Sequence, residues 1–255
     1  MEKIRNDELH QILDKVNLWI GNCDAKTTAI LGGFGVCASI FLTSNHAAAF
    51  ASTICFAKSH IDISSSDMTN SNYRSTLAKI YRCFISECTA IMNEQDICKE
   101  ISIKGDCVWG VFDVANKLDF NIVFDIACKL NSLIKILNYK LTKKHYRTIS
   151  VGIGIDYGRA LMVKAGYYGS GLNDVIWMGD VVNSACHLAN KAGREGLEPI
   201  AISEKAHSKL DNIYKGYCTL TKFGRLSCYE SDKSDTAMDK WLEGKCRKRL
   251  GYFLW

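Results

Sequence analysis

An α+β fold, a sheet with helices packed on one face, is what the order of elements along this 255-residue chain predicts. Three observations carry the prediction. From about residue 53 onward, β-rich runs alternate with amphipathic helical stripes in the order β-α-β-β-α-β-β-α-β. Two strand pairs are divided by tight turn triplets, Lys104-Gly105-Asp106 and Asp156-Tyr157-Gly158. Composition supplies the core: 47% of residues are hydrophobic and 23% charged, which excludes a disordered chain. A single proline excludes a proline-rich linker, and 19 glycines are too few for a collagen-like chain.

Each element follows from its own pattern. Residues 1–50 read as an N-terminal helical segment, with Leu9, Ile12, Leu13, Val16, Trp19 and Ile20 on one helix face. Residues 29–42 then run uncharged. Even extended to 27–44 they reach only the lower limit of a membrane span of about 20 residues. A buried or interfacial helix is expected there, with membrane association through 27–44 as the other option. The domain proper is expected over 51–235. It opens with a strand over 53–63 and continues with a helix whose stripe is Leu77, Ile80, Tyr81, Phe84, Ile85, Cys88 and Met92. A hairpin over 101–112 and a helix over 120–141 follow. Residues 149–155 alternate apolar residues with glycine and turn at 156–158, before a short strand at 160–163. A helix begins near Asp180 and ends at Gly193; residues 200–202 form a strand, and Ser203 caps a further helix. Residues 236–255, including the basic run at 245–249, are expected as a solvated C-terminal tail.

Charge and cysteine narrow the function. The formal charge of +5 suits a protein that handles anions such as nucleotides. With no Lys/Arg stripe interleaved with aromatics, no nucleic-acid partner is expected. The twelve cysteines form no Cys-x-x-Cys pair and follow no cleavable signal segment. They read as reduced, small core residues of a cytoplasmic protein.

Two carboxylates stand out by position. Asp62 ends a predicted strand and precedes Ile63-Ser64-Ser65-Ser66, small residues whose amides can cradle phosphate oxygens. Asp106 sits at a hairpin tip after Gly105. Carboxylates on adjacent strand ends can share a pair of divalent metals that activate a hydroxyl and hold a triphosphate. An aspartate at a strand end is also an ordinary turn former or helix cap, so either one alone says little.

The combination resembles a family. Residues 61–66 resemble the first metal-binding motif of class III nucleotide cyclases, and residues 101–109 their second, the Gly-Asp hairpin. Val151-Gly152-Ile153-Gly154-Ile155-Asp156-Tyr157-Gly158 resembles the strand and turn that follow. Met178-Gly179-Asp180-Val181-Val182-Asn183-Ser184-Ala185 resembles the stretch that carries the transition-state asparagine. These motifs occur in family order and cover about residues 53–230. The stretch 166–183 resembles the pyrimidine nucleotide cyclases of bacterial Pycsar anti-phage systems. The fold so implied is the class III cyclase catalytic domain, a ferredoxin-like sheet preceded here by N-terminal helices. The segment 19–27 is also similar to the start of the membrane effectors that accompany these cyclases.

The resemblance implies roles. Asp62, Ile63 and Asp106 would hold two Mn2+ or Mg2+ ions, and Asn183 would orient the ribose. At the positions where purine cyclases carry their polar base-reading pair, this chain has Ser102 and Ile176, so neither purine code is present. The family's stabilising arginine is replaced by His187, which departs from the purine mechanism. His60, two residues before Asp62, is a candidate for the base pocket, Ser64 for phosphate, and Lys222 for the triphosphate. The implied partner set is UTP or CTP, a second copy of the chain, and a cyclic-nucleotide-responsive effector reached through the product. The reading is an enzyme that converts UTP to 3′,5′-cyclic UMP and pyrophosphate for anti-phage signalling. Its alternatives are a cytidylate cyclase making cyclic CMP, a non-catalytic nucleotide-sensing domain, and a membrane-tethered signalling component.

Overall fold

The computed structural model describes residues 39–40, 51–60, 71–167, 172–194, 196–223 and 226–251. Most of the N-terminal segment therefore lies outside the described residues, as do Asp62, Ile63 and Ser64. Among the described residues, no helix is long and apolar enough to cross a membrane.

The elements run in this order: β1 (Ser39–Ile40), β2 (Ala51–His60), α1 (Ser71–Asn93), β3 (Cys98–Lys104), β4 (Cys107–Asp113), α2 (Lys117–Lys143), β5 (Ser150–Arg159), β6 (Leu161–Tyr167), β7 (Leu172–Met178), α3 (Asp180–Lys191), β8 (Ile200–Ser203), α4 (Glu204–Lys209), α5 (Asn212–Lys215), β9 (Thr219–Phe223), β10 (Leu226–Ser231) and α6 (Thr236–Gly251). The chain divides into two compact units. The larger comprises Ala49–Arg159 and Asp180–Trp255. It holds a seven-stranded sheet in the order β3-β4-β2-β5-β8-β10-β9, in which only β5 and β8 pair in parallel. The smaller includes Ala160–Gly179 and holds the sheet β1-β6-β7.

Alternation along β5 explains the glycine-rich pattern. Val151, Ile153 and Ile155 face the main core with Phe84, Cys88 and Met92 of α1 and Phe124 and Leu130 of α2. Gly154 faces the other way. A Cβ built on it would come within 2.2 Å of the Ala185 carbonyl oxygen and 2.4 Å of the Ala189 nitrogen, both backbone atoms of α3. Only glycine lets the helix lie this close to the strand. Neighbouring β8 divides in the same way: Ile200 and Ile202 join the main core, while Ala201 packs with Leu188, Ala192 and Cys228. The long helices α1 and α2 thus cover one face, but the expectation that all helices share that face is corrected by α3, which covers the opposite one.

Other expectations need adjustment. The first strand, expected over 53–63, is described as Ala51–His60. The triplet 156–158 does not turn: β5 continues to Arg159, paired with Ala51 of β2. Asp156 is buried, and its carboxylate accepts hydrogen bonds from the Ser203 hydroxyl and the Tyr157 N–H. Those donors satisfy the carboxylate within the sheet, so the residue is not released to solvent as a turn former would be. The strand expected at 160–163 is longer, and β7, β9 and β10 had no counterpart in the sequence reading. Residues 236–251 form a helix, which was not expected, with residues 243–246 exposed. Asp235 caps this helix by accepting from the Met238 N–H at 2.8 Å, and the Ser132 hydroxyl of α2 donates to Asp239 at 2.9 Å.

The expected cap at Ser203 holds. Ser203 accepts from the Ala206 N–H at 3.1 Å. Asn116 and Asp119 form a reciprocal capping box at the start of α2. The described cysteines are free; burial pushes Cys128 and Cys218 up to about 12 and raises Cys55 and Cys88 further.

Candidate active site

The hairpin β3–β4 presents one edge of the large sheet. Gly105, at φ +61°, makes the tight turn that sets Asp106 opposite it at the tip. In the pairing register Lys104 stands across from Cys107 and Ser102 across from Trp109. Side chains alternate faces along a strand, so these four share the sheet face covered by α3.

Helix α3 forms the facing wall. Val181, Ala185, Leu188 and Ala189 are buried beneath it. Val182, Asn183, Cys186 and Ala189 line a cavity of about 320 Å³, whose hairpin side consists of Lys104, Asp106, Cys107 and Trp109. Asp106 is half-buried, Lys104 and Asn183 are exposed, and Trp109 is nearly covered. Among the described residues, the lining offers one carboxylate, one ammonium and one carboxamide between apolar and thiol surfaces. Such a site can bind an anion-bearing polar ligand and orient it from two walls. Among the described residues, no group of three His, Cys, Asp or Glu side chains is placed to hold a metal.

The structure brings together Asp106 and Asn183 of the residues singled out from the sequence. Ser102 is half-buried on the same sheet face as Trp109. His187 is exposed one turn beyond Asn183 and is not among the lining residues. Lys222 is exposed on β9, the opposite edge of the seven-stranded sheet from β3, so the chain does not bring it to Asp106. His60 ends β2, paired with Ser150. Ile176 lies in β7 of the smaller unit and is 44% exposed, while Trp177 beside it is buried. Asp62, Ile63 and Ser64 fall outside the described residues. Lys104, Trp109 and Cys186 were passed over as lining residues. The hairpin register was the signal that could have found the first two: counting by twos from Ser102 and crossing at the Gly105 turn reaches Lys104, Cys107 and Trp109.

Comparison with known proteins adds to this geometry. A relative from Treponema porcinum named uridylate cyclase is 38% identical over 176 residues, 68% of this chain and 61% of the relative. Another of that name, from Gulbenkiania mobilis, is 42% identical over 125 residues, 47% of this chain and 48% of the relative. The chain thus spans about half to three fifths of the length of these two curated relatives. Among solved structures, the adenylyl cyclase CyaB from P. aeruginosa matches with a TM-score of 0.57 at 17% identity, over 72% of this chain and 95% of that one. No protein-family model matches the chain.

Proposed function

The chain has the fold of the class III nucleotide cyclase catalytic domain, and from that premise we propose that it is a pyrimidine nucleotide cyclase that converts UTP to 3′,5′-cyclic UMP and pyrophosphate. The observation that carries the proposal is the shared cavity of Asp106 and Asn183, in a chain 38–42% identical to proteins named uridylate cyclase.

In this reaction the ribose 3′-oxygen bonds to the α-phosphorus, the bond from that phosphorus to the pyrophosphate breaks, and the 3′-hydroxyl proton is lost. The residues present fit a divalent ion. Asp106 is a half-buried hard oxygen donor on the cavity wall, the ligand type that Mg2+ and Mn2+ prefer. In our reading Asp62 and the Ile63 stretch complete the donor set for two ions. When bound, these ions would stabilise charge on the attacking and leaving oxygens. Asn183 would orient the ribose by its carboxamide, holding the 3′-oxygen in line with the α-phosphorus. Ser64 would contact phosphate, and His60 would border the base.

A homodimer belongs to the proposal. Lys222 stands on the sheet edge away from the cavity, and a second copy would be needed to bring such a cation to the triphosphate. The exposed His187 would likewise face substrate across the pair. A cytoplasmic location, a role in anti-phage defence, and an effector that answers to the cyclic product complete the reading.

The test is purified protein with Mn2+ and each of the four nucleoside triphosphates, with products identified by mass. Cyclic UMP as the main product is expected, with CTP second and ATP and GTP poor. Faster cyclisation of ATP or GTP than of both pyrimidines would overturn the proposal.

A further inference from the structure

We propose that Lys104 distinguishes uracil from cytosine, its ammonium donating to the carbonyl at position 4 of the ring; this rests on the pyrimidine cyclase reading above. The argument starts from the two walls of the cavity. Asn183 and Cys186 line it from α3, and Lys104, Asp106 and Trp109 from the hairpin. If Asn183 holds the ribose, the base joined to that ribose projects toward the hairpin wall. There it meets Trp109, largely buried, and the side chain of Lys104, both of which line the cavity. Trp109 offers a surface on which any ring can stack, so it cannot separate two pyrimidines.

Lys104 can. The side chain of Ser102 lies on the same face two residues earlier, but a hydroxyl donates and accepts, and so tolerates either base. An ammonium only donates. Uracil presents an acceptor oxygen at position 4, whereas cytosine presents an amino donor there. A donor-only group facing that position forms a hydrogen bond with uracil and sets two donors against each other with cytosine. Among the described residues that line the cavity, Lys104 is also the one cationic side chain, beside a single carboxylate.

The experiment is competition between UTP and CTP at equal concentration in one reaction with Mn2+, read as the ratio of cyclic UMP to cyclic CMP. A ratio taken within one tube does not depend on how much of a variant is folded. The wild type is expected to favour cyclic UMP. Lys104→Ala should lower the ratio by about tenfold or more, the scale of one charge-assisted hydrogen bond. Lys104→Glu, an acceptor in place of a donor, should move the ratio further toward cyclic CMP. An unchanged ratio in both variants overturns the assignment while leaving the pyrimidine reading intact, as does a wild type that favours CTP. Equal losses on both nucleotides, with the ratio unmoved, would make Lys104 a phosphate contact or scaffold residue and also overturn it. A wild type that cyclises neither pyrimidine overturns both proposals.

Discussion

Asp106 at the tip of the β3–β4 hairpin and Asn183 in the first turns of α3 line the same cavity, although four strands and the long helix α2 separate them in sequence. The hairpin turn and the seating of α3 on β5 fix their two positions independently. A change at one residue can therefore be read without disturbing the other.

Replacing Asp106 with asparagine keeps the shape and removes the anionic oxygen. Turnover of UTP with Mn2+ is expected to fall by at least about 100-fold, because a lost metal ligand weakens both ion binding and charge stabilisation. The thermal midpoint should stay near the wild-type value, since the residue is only half-buried at a loop tip. Wild-type-like initial rates in Asp106→Asn would remove the residue from the metal site.

Assembly can be tested by complementation. Asp106→Asn, in the cavity, and Lys222→Ala, the cation assigned to the second copy, should each be strongly impaired alone. Mixed and allowed to exchange subunits, they should recover part of the activity, because one hybrid site would contain both native residues. If the mixture stays impaired while exchange is demonstrated by mass, the site is built within one chain.

The contact between β5 and α3 predicts a large effect from one methyl group. In Gly154→Ala the added carbon would sit 2.2 Å from the Ala185 oxygen and 2.4 Å from the Ala189 nitrogen. Neither is the end of a flexible side chain, so the helix must move. A destabilisation of about 3 kcal/mol is expected. In a domain of this size that is a fall in Tm on the order of 10 °C by thermal denaturation. An unaltered Tm would mean that α3 is not seated as described.

Histidine 207 gives a pH dependence. Its ring stacks on Tyr229 with centroids 3.4 Å apart, and its Nε2 is buried without a hydrogen-bond partner. Burial holds its pKa below the ordinary value of 6.5, against a smaller opposing effect from a hydrogen bond to the Lys215 backbone. The unfolded chain thus binds this proton more tightly than the folded one. The stability involved is fully present above pH 6.5 and declines as pH falls below it toward the lowered folded-state value. His207→Phe keeps a ring against Tyr229 and removes the titration. Urea midpoints measured from pH 5 to 8 should show a shallower acid-side slope in this variant than in the wild type.

Much of this organisation was legible in the sequence where local pattern and tertiary role coincide. The helical stripe through Phe84, Cys88 and Met92 is the buried face of α1, and the Gly105-Asp106 turn is the hairpin tip. The glycine alternation at 151–155 marked a strand but not why glycine was needed, because the reason is a helix remote in sequence. Asp156 misled for a related cause: aspartate before Tyr-Gly has turn chemistry, and the Ser203 hydroxyl that retains it in the sheet comes from another strand. Helix α6 was missed because its polar surface gives no stripe; it is fixed in part by polar contacts such as Ser132 to Asp239. In the cavity, Asp106 and Asn183 were found by motif. Lys104 and Trp109 needed the pairing register to show that they share a face.

The close seating of α3 at Gly154 also determines which parts of the cavity can yield. One wall is a helix whose main chain rests on the main chain of a central strand, with no side chain at that point to shift rotamer and make room. The other is a hairpin whose outer strand β3 is, among the described residues, bonded to a neighbouring strand on one side only. Strain from a ligand slightly too large would therefore be taken up by the hairpin, like a hinged jaw closing on a fixed anvil. Directed changes in nucleotide preference should accumulate in residues 98–113, while α3 keeps its place as the reference surface.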